Sequence, residues 1–274
     1  MQADLHCHTI HSDGVLTPAE LITRALENGV EMLSITDHDT MAAYDSAVSV
    51  PKLKLIPGIE LSTSWKNLNV HIVGLNVDPH SKAMREATAI QSKARIQRAK
   101  LISEALQYKG INNTLEGALD LAGNNQIGRP HFARYLVNSG TCPNLKKAYK
   151  QYLGAGKIGD IKNLWASMET VIRWISEAGG VAVLAHPAKY KLTRTRLKSL
   201  IEGFKSEGGR GLEVVSGSQN KDITDMLASM AEDFELLSSC GSDFHTPENS
   251  WADLGKSPAL PANCTPVWEH WQSA

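Results

Sequence analysis

Short apolar runs alternate with longer amphipathic stretches in the first third of the chain. The apolar runs predict β-strands over residues 3–8, 31–36, 53–56 and 70–75. A helix is predicted to begin after Thr17 and Pro18 and to end at Gly29, and a shorter one is predicted around 41–48. Strands that alternate with helices predict a mostly parallel sheet covered by helices.

The alternation stops near Pro79 and returns near Trp165. The stretch between these residues predicts helices over 83–108, 115–122, 129–139 and 145–153. We interpret it as a helical insertion, residues 81–159, that caps a β/α domain formed by residues 1–80 and 160–274.

The last third again alternates helices and strands. Helices are predicted from Ser167 to 177 and over 194–205 and 222–232, and strands are predicted over 181–185, 211–215 and 234–239. With 274 residues and 42% hydrophobic content, the chain is long enough for one large α/β core with an insertion.

Imidazole and carboxylate side chains are concentrated at or near the ends of the predicted strands. His6 and His8 alternate on one strand and therefore point to the same face. The full set of candidate ligands is His6, His8, Asp13, His38, Glu60, His71, His186, Asp243 and His245. Residues that end parallel strands in a barrel gather at its carboxyl rim, where such folds carry their active sites. Nitrogen and oxygen donors without thiolates favour Mn²⁺, Fe²⁺ or Zn²⁺, and nine donors are enough for two or three ions.

Composition and charge exclude several other classes of protein. The net charge of −1 gives no general attraction to nucleic acid or to anionic membranes, and no apolar run reaches the roughly 20 residues that a membrane span needs. The chain starts with strand-like sequence rather than a leader, so a cytoplasmic protein is expected. Because the four cysteines, Cys7, Cys142, Cys240 and Cys264, are scattered, we expect reduced thiols.

Five ordered motifs together resemble the polymerase and histidinol phosphatase (PHP) family. They are Asp4-Leu5-His6-Cys7-His8, Thr36-Asp37-His38-Asp39, Gly58-Ile59-Glu60, Ala185-His186-Pro187 and Gly241-Ser242-Asp243-Phe244-His245. The resemblance implies a distorted (β/α)7 barrel with an amidohydrolase-like trinuclear metal centre. The first ion would be held by His6, His8, Glu60 and Asp243, the second by Asp13, His38 and His245, and the third by Glu60, His71 and His186. The family often has His in place of Asp13, and His11 is a nearby substitute.

The helical insertion and the run Gly128-Arg129-Pro130-His131 look like the bacterial branch of nucleoside 3′,5′-bisphosphate phosphatases, which is also linked to 5′-to-3′ exoribonuclease activity. This similarity implies a metal-bridging hydroxide that converts pAp to AMP and phosphate, with short 5′-phosphorylated RNA as a further substrate. It also implies Mn²⁺ as the ion, with Fe²⁺ and Zn²⁺ as alternatives.

Five basic or imidazole residues are the candidate contacts for the substrate phosphate. Arg95 and Arg98 share one face of a predicted helix at i, i+3 and could clamp one phosphate while the metals bind another. The remaining candidates are Arg129, His131 and Lys157. Residues 156–161 depart from the pattern of the branch, which leaves recognition of the base and ribose open.

Alternative interpretations of these residues and of the function remain open. Arg95 and Arg98 could form a solvated helix face. Asp4, Asp37 and Asp39 are expected to orient the ligating histidines rather than to bind metal. The alternative functions are a histidinol-phosphate phosphatase or another small-molecule phosphatase, a non-catalytic PHP module, and an RNA-binding protein without hydrolysis. No membrane or protein partner is predicted.

Overall fold

Two β-sheets form the centre of the molecule in a computed structural model that describes residues 1–46, 50–248 and 250–271. The first sheet has three parallel strands in chain order: β1 (Ala3–Cys7), β2 (Met32–Ile35) and β3 (Lys54–Leu55). The second sheet has five strands, also in chain order: β4 (Gly58–Trp65), β5 (Leu68–Leu75), β6 (Val181–Leu184), β7 (Gly211–Ser216) and β8 (Leu237–Gly241). The predicted strands are therefore all present, with β8 displaced by about three residues.

Strand β5 runs antiparallel to both of its neighbours, whereas the other four pairings of the described strands are parallel, in agreement with the expectation of a mostly parallel sheet. It forms a hairpin with β4, a strand that the apolar pattern did not reveal. Lys66 and Asn67 at the turn have φ values of 43° and 64°, the left-handed conformation that a tight two-residue hairpin turn requires. Strands β6, β7 and β8 are parallel, as predicted.

The two sheets meet through isolated bridges, between Cys7 and Phe244 and between His38 and Glu60. The α/β class is confirmed. A closed seven-stranded barrel is not confirmed, because the described strands form two separate hydrogen-bonded sheets.

Five helices pack with these strands: α1 (Pro18–Glu27), α2 (Ala43–Ser46), α7 (Met168–Glu177), α8 (Arg194–Ser206) and α9 (Lys221–Asp233). Helix α1 begins where it was predicted to begin, because the Thr17 hydroxyl accepts from the Glu20 amide and the Glu20 carboxylate accepts from the Thr17 amide. The last part of the helix predicted around 41–48 lies outside the described residues.

The core of the protein is divided between these helices and sheets. Trp174 and Phe204 are fully buried in the large cluster beneath the second sheet. Leu21 and Phe244 belong to a smaller cluster between α1 and the first sheet. None of the four cysteines, all of which are described, forms a disulfide, in agreement with the prediction of free thiols.

The remaining helices follow the hairpin: α3 (Lys82–Gln107), α4 (Thr114–Ala122), α5 (Arg129–Asn138) and α6 (Leu145–Ala148), which continues into a π-helical turn at Tyr149–Leu153. They share a third apolar cluster that includes Ile102, Phe132 and Leu136. An inserted segment needs an apolar core of its own, and this separate cluster is such a core. The division at residues 81 and 159 stays a prediction. No helix in the described parts of the chain is long and apolar enough to cross a membrane.

We expect Tyr44→Phe to destabilise the fold, because the Tyr44 hydroxyl joins the two sheets. Its oxygen accepts from the Gly58 amide at 2.9 Å and lies 2.7 Å from the Ile35 carbonyl, to which it donates. Removing the hydroxyl leaves these backbone groups unpaired and should cost about 1–3 kcal/mol. The free energy of unfolding in urea would measure this loss. Tyr108→Phe is the control, since Tyr108 is 88% exposed, and equal stability of the two variants would contradict the prediction.

Candidate metal centre

The nine predicted donors converge at the junction of the two sheets. His6 lies on β1, Glu60 on β4 and His71 on β5. The others follow strands or occupy connecting segments: His8, Asp13, His38, His186, Asp243 and His245. His186 and Asp243 each lie two residues after the end of a strand, β6 and β8 respectively. Their φ values of 29° and 53° are strained backbone conformations of the kind found at functional sites.

Glu60 is at the centre of this group. Its carboxylate oxygens lie 2.9 to 3.4 Å from ring nitrogens of five histidines: His6, His8, His38, His71 and His186. Burial by itself would raise the pKa of Glu60, but the neighbouring imidazoles hold this pKa well below its usual range. The carboxylate is therefore ionised at neutral pH.

The donors fall into four overlapping groups, in each of which the ligand atoms lie within 4.8 Å of one another. The groups are His8, Asp13, His38 and His245; His6, Glu60 and His186; His6, His8 and Asp243; and His38, Glu60 and His71. These groups overlap with the ligand sets implied by the family resemblance. Asp13, His38 and His245 fall together, joined by His8, and His6, His8 and Asp243 form another group. His71 and His186 fall in different groups, each with Glu60.

The residues present fit bound metal ions. Several buried polar atoms have no hydrogen-bond partner of good geometry among the described residues, including Nε2 of His6, both ring nitrogens of His8 and Oε2 of Glu60. Unpartnered polar atoms are costly in an interior, and cations bound between them would remove that cost.

The protonation states of two of the histidines, His8 and His71, also suit metal binding. Burial, together with the charge of His245, lowers the pKa of His8 to about 4, and burial likewise lowers the pKa of His71 to about 4. Both rings are therefore neutral near pH 7 and have a free nitrogen lone pair. Burial also disfavours the charged form of His245, but the Asp13 carboxylate outweighs this effect and raises the pKa of His245 to about 9.

The sequence analysis missed two charged residues beside the centre. Glu213 on β7 lies 3.0 Å from Nδ1 of His6 and accepts a hydrogen bond from the His186 amide. A carboxylate in the middle of the apolar run 211–215 was the signal that could have revealed it. Lys189 donates to Asp243, and no pattern in the sequence marked it.

The three aspartates that were expected to orient histidines form hydrogen bonds with other groups. Asp4 accepts from the amides of Ser242 and Gly255, and Asp37 accepts from Thr9 and Ser12. Their short side chains reach the backbone and hydroxyl groups of the loops that carry the ligands, and neither carboxylate has a hydrogen bond to an imidazole in the described parts of the chain.

Asp39 also bonds away from the histidines. It accepts from Ser62, Gln91 and Arg95, with the Arg95 contacts at 2.6 and 2.7 Å. The expectation that these aspartates orient the histidines is therefore corrected.

A cavity of about 100 Å³ extends from the donors to the helical segment. It is lined by three candidate ligands, Asp13, His38 and His71, and by residues of the helical segment that include Arg95, Arg98, Arg129 and Tyr149. Tyr149 was not among the predicted site residues.

The arginines differ in how far they are already paired. Arg95 is engaged by Asp39, whereas Nε of Arg98 is buried without a hydrogen-bond partner among the described residues. Burial lowers the pKa of Arg98 to about 9, and the charges of Arg129 and Arg95 act in the same direction. An anion bound beside Arg98 would relieve this unfavourable environment. The ring of Trp165 lies against both arginines, with its centroid 5.4 Å from the guanidinium carbon of Arg95 and 5.2 Å from that of Arg98.

The structure does not bring the other two predicted phosphate contacts into this cavity. Nδ1 of His131 accepts from the Gly128 amide at 3.0 Å, so this ring caps the start of α5. Lys157 is exposed in the loop after the π-helical turn. Neither is among the described residues that line the cavity.

The combination of an α/β fold with a cluster of imidazole and carboxylate donors near the strand ends is typical of proteins that have a metal centre. Residues 4–176 match the family model of the PHP domain, and the chain is a member of the PHP domain family.

Two curated relatives and one solved structure resemble nearly the whole chain. A 5′-3′ exoribonuclease of Haemophilus influenzae is 44% identical over 97% of both chains. A 3′,5′-nucleoside bisphosphate phosphatase of Chromobacterium violaceum is 39% identical over 97% of this chain and 94% of the relative. The structure of an amidohydrolase from Chromobacterium violaceum with bound sulfate and no metal superposes with a TM-score of 0.91 at 37% identity, covering 100% of this chain and 96% of that one.

We expect divalent ions to stabilise the protein through these donors. Adding Mn²⁺ to chelator-treated protein should raise the melting temperature, because ions that bind only the native state shift the folding equilibrium. Asp243→Ala should remove most of this shift. Asp225→Ala is the control, since Asp225 pairs with Lys221 on the exposed surface of α9, and an equal Mn²⁺-induced shift in both variants would contradict the assignment of Asp243 as a ligand.

Proposed function

We propose that this protein is a metal-dependent phosphoesterase that hydrolyses nucleoside 3′,5′-bisphosphates, converting pAp to AMP and phosphate. One observation carries the proposal: a single cavity is lined both by candidate metal ligands and by guanidinium groups. A substrate with two phosphates needs both kinds of site. The names of the relatives, one a bisphosphate phosphatase and one an exoribonuclease, point to the same chemistry.

We further propose that the nine donors hold two or three divalent ions, with Mn²⁺ as the leading candidate and Fe²⁺ and Zn²⁺ as alternatives. When bound, such ions activate a water molecule as the nucleophile and neutralise phosphate oxygens. The two sheets would together form a distorted (β/α)7 barrel, with the donors arranged around it. Residues 81–159 would form the cap of this barrel.

The chain's own cations would hold the phosphate that is not cleaved. Arg98 and Arg129 are the leading candidates, because both line the cavity and neither forms an ion pair as close as that of Arg95 with Asp39. Arg95 would act less directly, by fixing the wall of the cavity through Asp39. Paired guanidinium groups suit a phosphate because each can donate two parallel hydrogen bonds.

Short 5′-phosphorylated RNA is the second candidate substrate. The exoribonuclease name of the Haemophilus influenzae relative favours it. RNA offers the same arrangement of a ribose with phosphates on both sides, so one site could accept either molecule. The net charge of −1 argues for contacts with a few terminal nucleotides rather than for binding along an extended strand.

We expect the purified, Mn²⁺-loaded protein to release phosphate from pAp much faster than from histidinol phosphate, since the latter has no second phosphate for the arginines. Initial rates of phosphate release measure this preference. Faster hydrolysis of histidinol phosphate would overturn the substrate assignment, and no hydrolysis of either by protein that binds Mn²⁺ would favour the non-catalytic alternative.

We expect Arg129→Ala and Arg98→Ala to raise KM for pAp by about 10-fold or more, because each removes a charge-assisted phosphate contact worth about 1.5–3 kcal/mol. The ratio of kcat/KM for pAp to that for a nucleoside monophosphate separates this effect from a general loss of activity. Lys146→Ala, on the exposed surface of α6, is the control for removal of a positive charge. An unchanged ratio in both arginine variants would show that the second phosphate binds elsewhere.

A further inference from the structure

Glu213 contacts two of the proposed metal ligands but belongs to none of the donor groups found among the described residues. We infer that Glu213 is a positioning residue that fixes the ring of His6 and the backbone of His186 as one unit. This inference rests on the proposed metal centre, and it concerns a residue that the ligand set does not include.

The contact with His6 determines which ring nitrogen can bind an ion. Oε1 of Glu213 lies 3.0 Å from Nδ1 of His6, and both side chains are about 2% exposed, so water does not compete for this bond. A carboxylate oxygen at this distance is placed to accept a hydrogen bond from a protonated Nδ1. In this tautomer the lone pair of His6 is on Nε2. This is the atom that faces the centre, 3.4 Å from Glu60 and 3.6 Å from Asp243.

The second oxygen of Glu213 holds the backbone at His186. It accepts from the His186 amide, just after the end of β6. His186 has a φ of 29°, which is unfavourable for a residue with a side chain. A hydrogen bond to a buried carboxylate stabilises this conformation and so helps to hold Nε2 of His186 2.9 Å from Glu60.

Glu213 thus connects two strands that do not pair with each other. His6 is on β1 in the first sheet, and His186 follows β6 in the second. Glu213 itself is on β7, which pairs with β6. The carboxylate therefore couples the position of one ligand to that of the other across the junction of the sheets. Groups that orient a ligand histidine in this way typically change metal affinity 10- to 100-fold when mutated.

Glu213→Gln distinguishes positioning from packing, because glutamine has almost the same shape but one oxygen and one NH₂ group. The His186 amide is a fixed donor and will take the glutamine oxygen. The NH₂ group then faces Nδ1 of His6, which must become an acceptor, and the ring proton moves to Nε2. The nitrogen that faces the centre would then have no lone pair for a metal.

The experiment titrates the metal-free full-length protein with Mn²⁺ by calorimetry, alongside a thermal melt without metal. We expect Glu213→Gln to melt close to the wild type but to bind the ion that depends on His6 about 10- to 100-fold more weakly. Glu202→Gln is the matched control, since it makes the same chemical change at an exposed site on α8 and should bind Mn²⁺ as the wild type does.

Glu213→Asp is the second variant and keeps the proposal testable if the glutamine variant does not fold. It retains the charge but draws the oxygens back by about one C–C bond, roughly 1.5 Å, so weaker Mn²⁺ binding is again expected. Wild-type Mn²⁺ affinity in the folded Glu213 variants would overturn the inference and leave the proposed function standing. Absence of Mn²⁺ binding by the wild type would instead overturn the proposed function.

Discussion

The rest of the structure depends on the placement of the buried Glu60 carboxylate among five imidazoles. Taking so many ionisable groups out of water is unfavourable unless each finds a partner of opposite charge, a hydrogen bond or a metal ion. Here the carboxylates and imidazoles lower or raise one another's pKa values, and several ring nitrogens have no hydrogen-bond partner among the described residues. The geometry of the cluster points to a metal centre, because bound cations would satisfy these nitrogens.

The antiparallel hairpin β4–β5 is the element that makes this cluster possible. It places Glu60 and His71 on neighbouring strands, while the bridge between Glu60 and His38 joins the hairpin to the end of the first sheet. Tyr44 reinforces the same junction through the hydrogen bonds of its hydroxyl group with Ile35 and Gly58.

The helical segment brings positive charge to a site that is otherwise rich in carboxylates. Arg95 extends from α3 to Asp39 in the loop after β2, so the segment is attached to the metal-binding region by a buried ion pair. Arg98 lies one turn further along the helix and lines the same cavity, and its Nε has no hydrogen-bond partner among the described residues. Two arginines that look equivalent in the sequence thus have different surroundings, and we assign them different roles.

The sequence by itself determined the local features of this protein. Helix starts such as that at Thr17 and strands such as β1 depend on neighbouring residues, so short-range patterns reveal them. The nine candidate ligands were also visible, because polar residues at the ends of apolar runs are conspicuous. Only the tertiary structure showed that Glu213 contacts His6 across 207 positions of the chain and that Arg95 pairs with Asp39 across 56 positions. These outcomes depend on which distant side chains come within hydrogen-bond range, and no spacing along the chain encodes that distance.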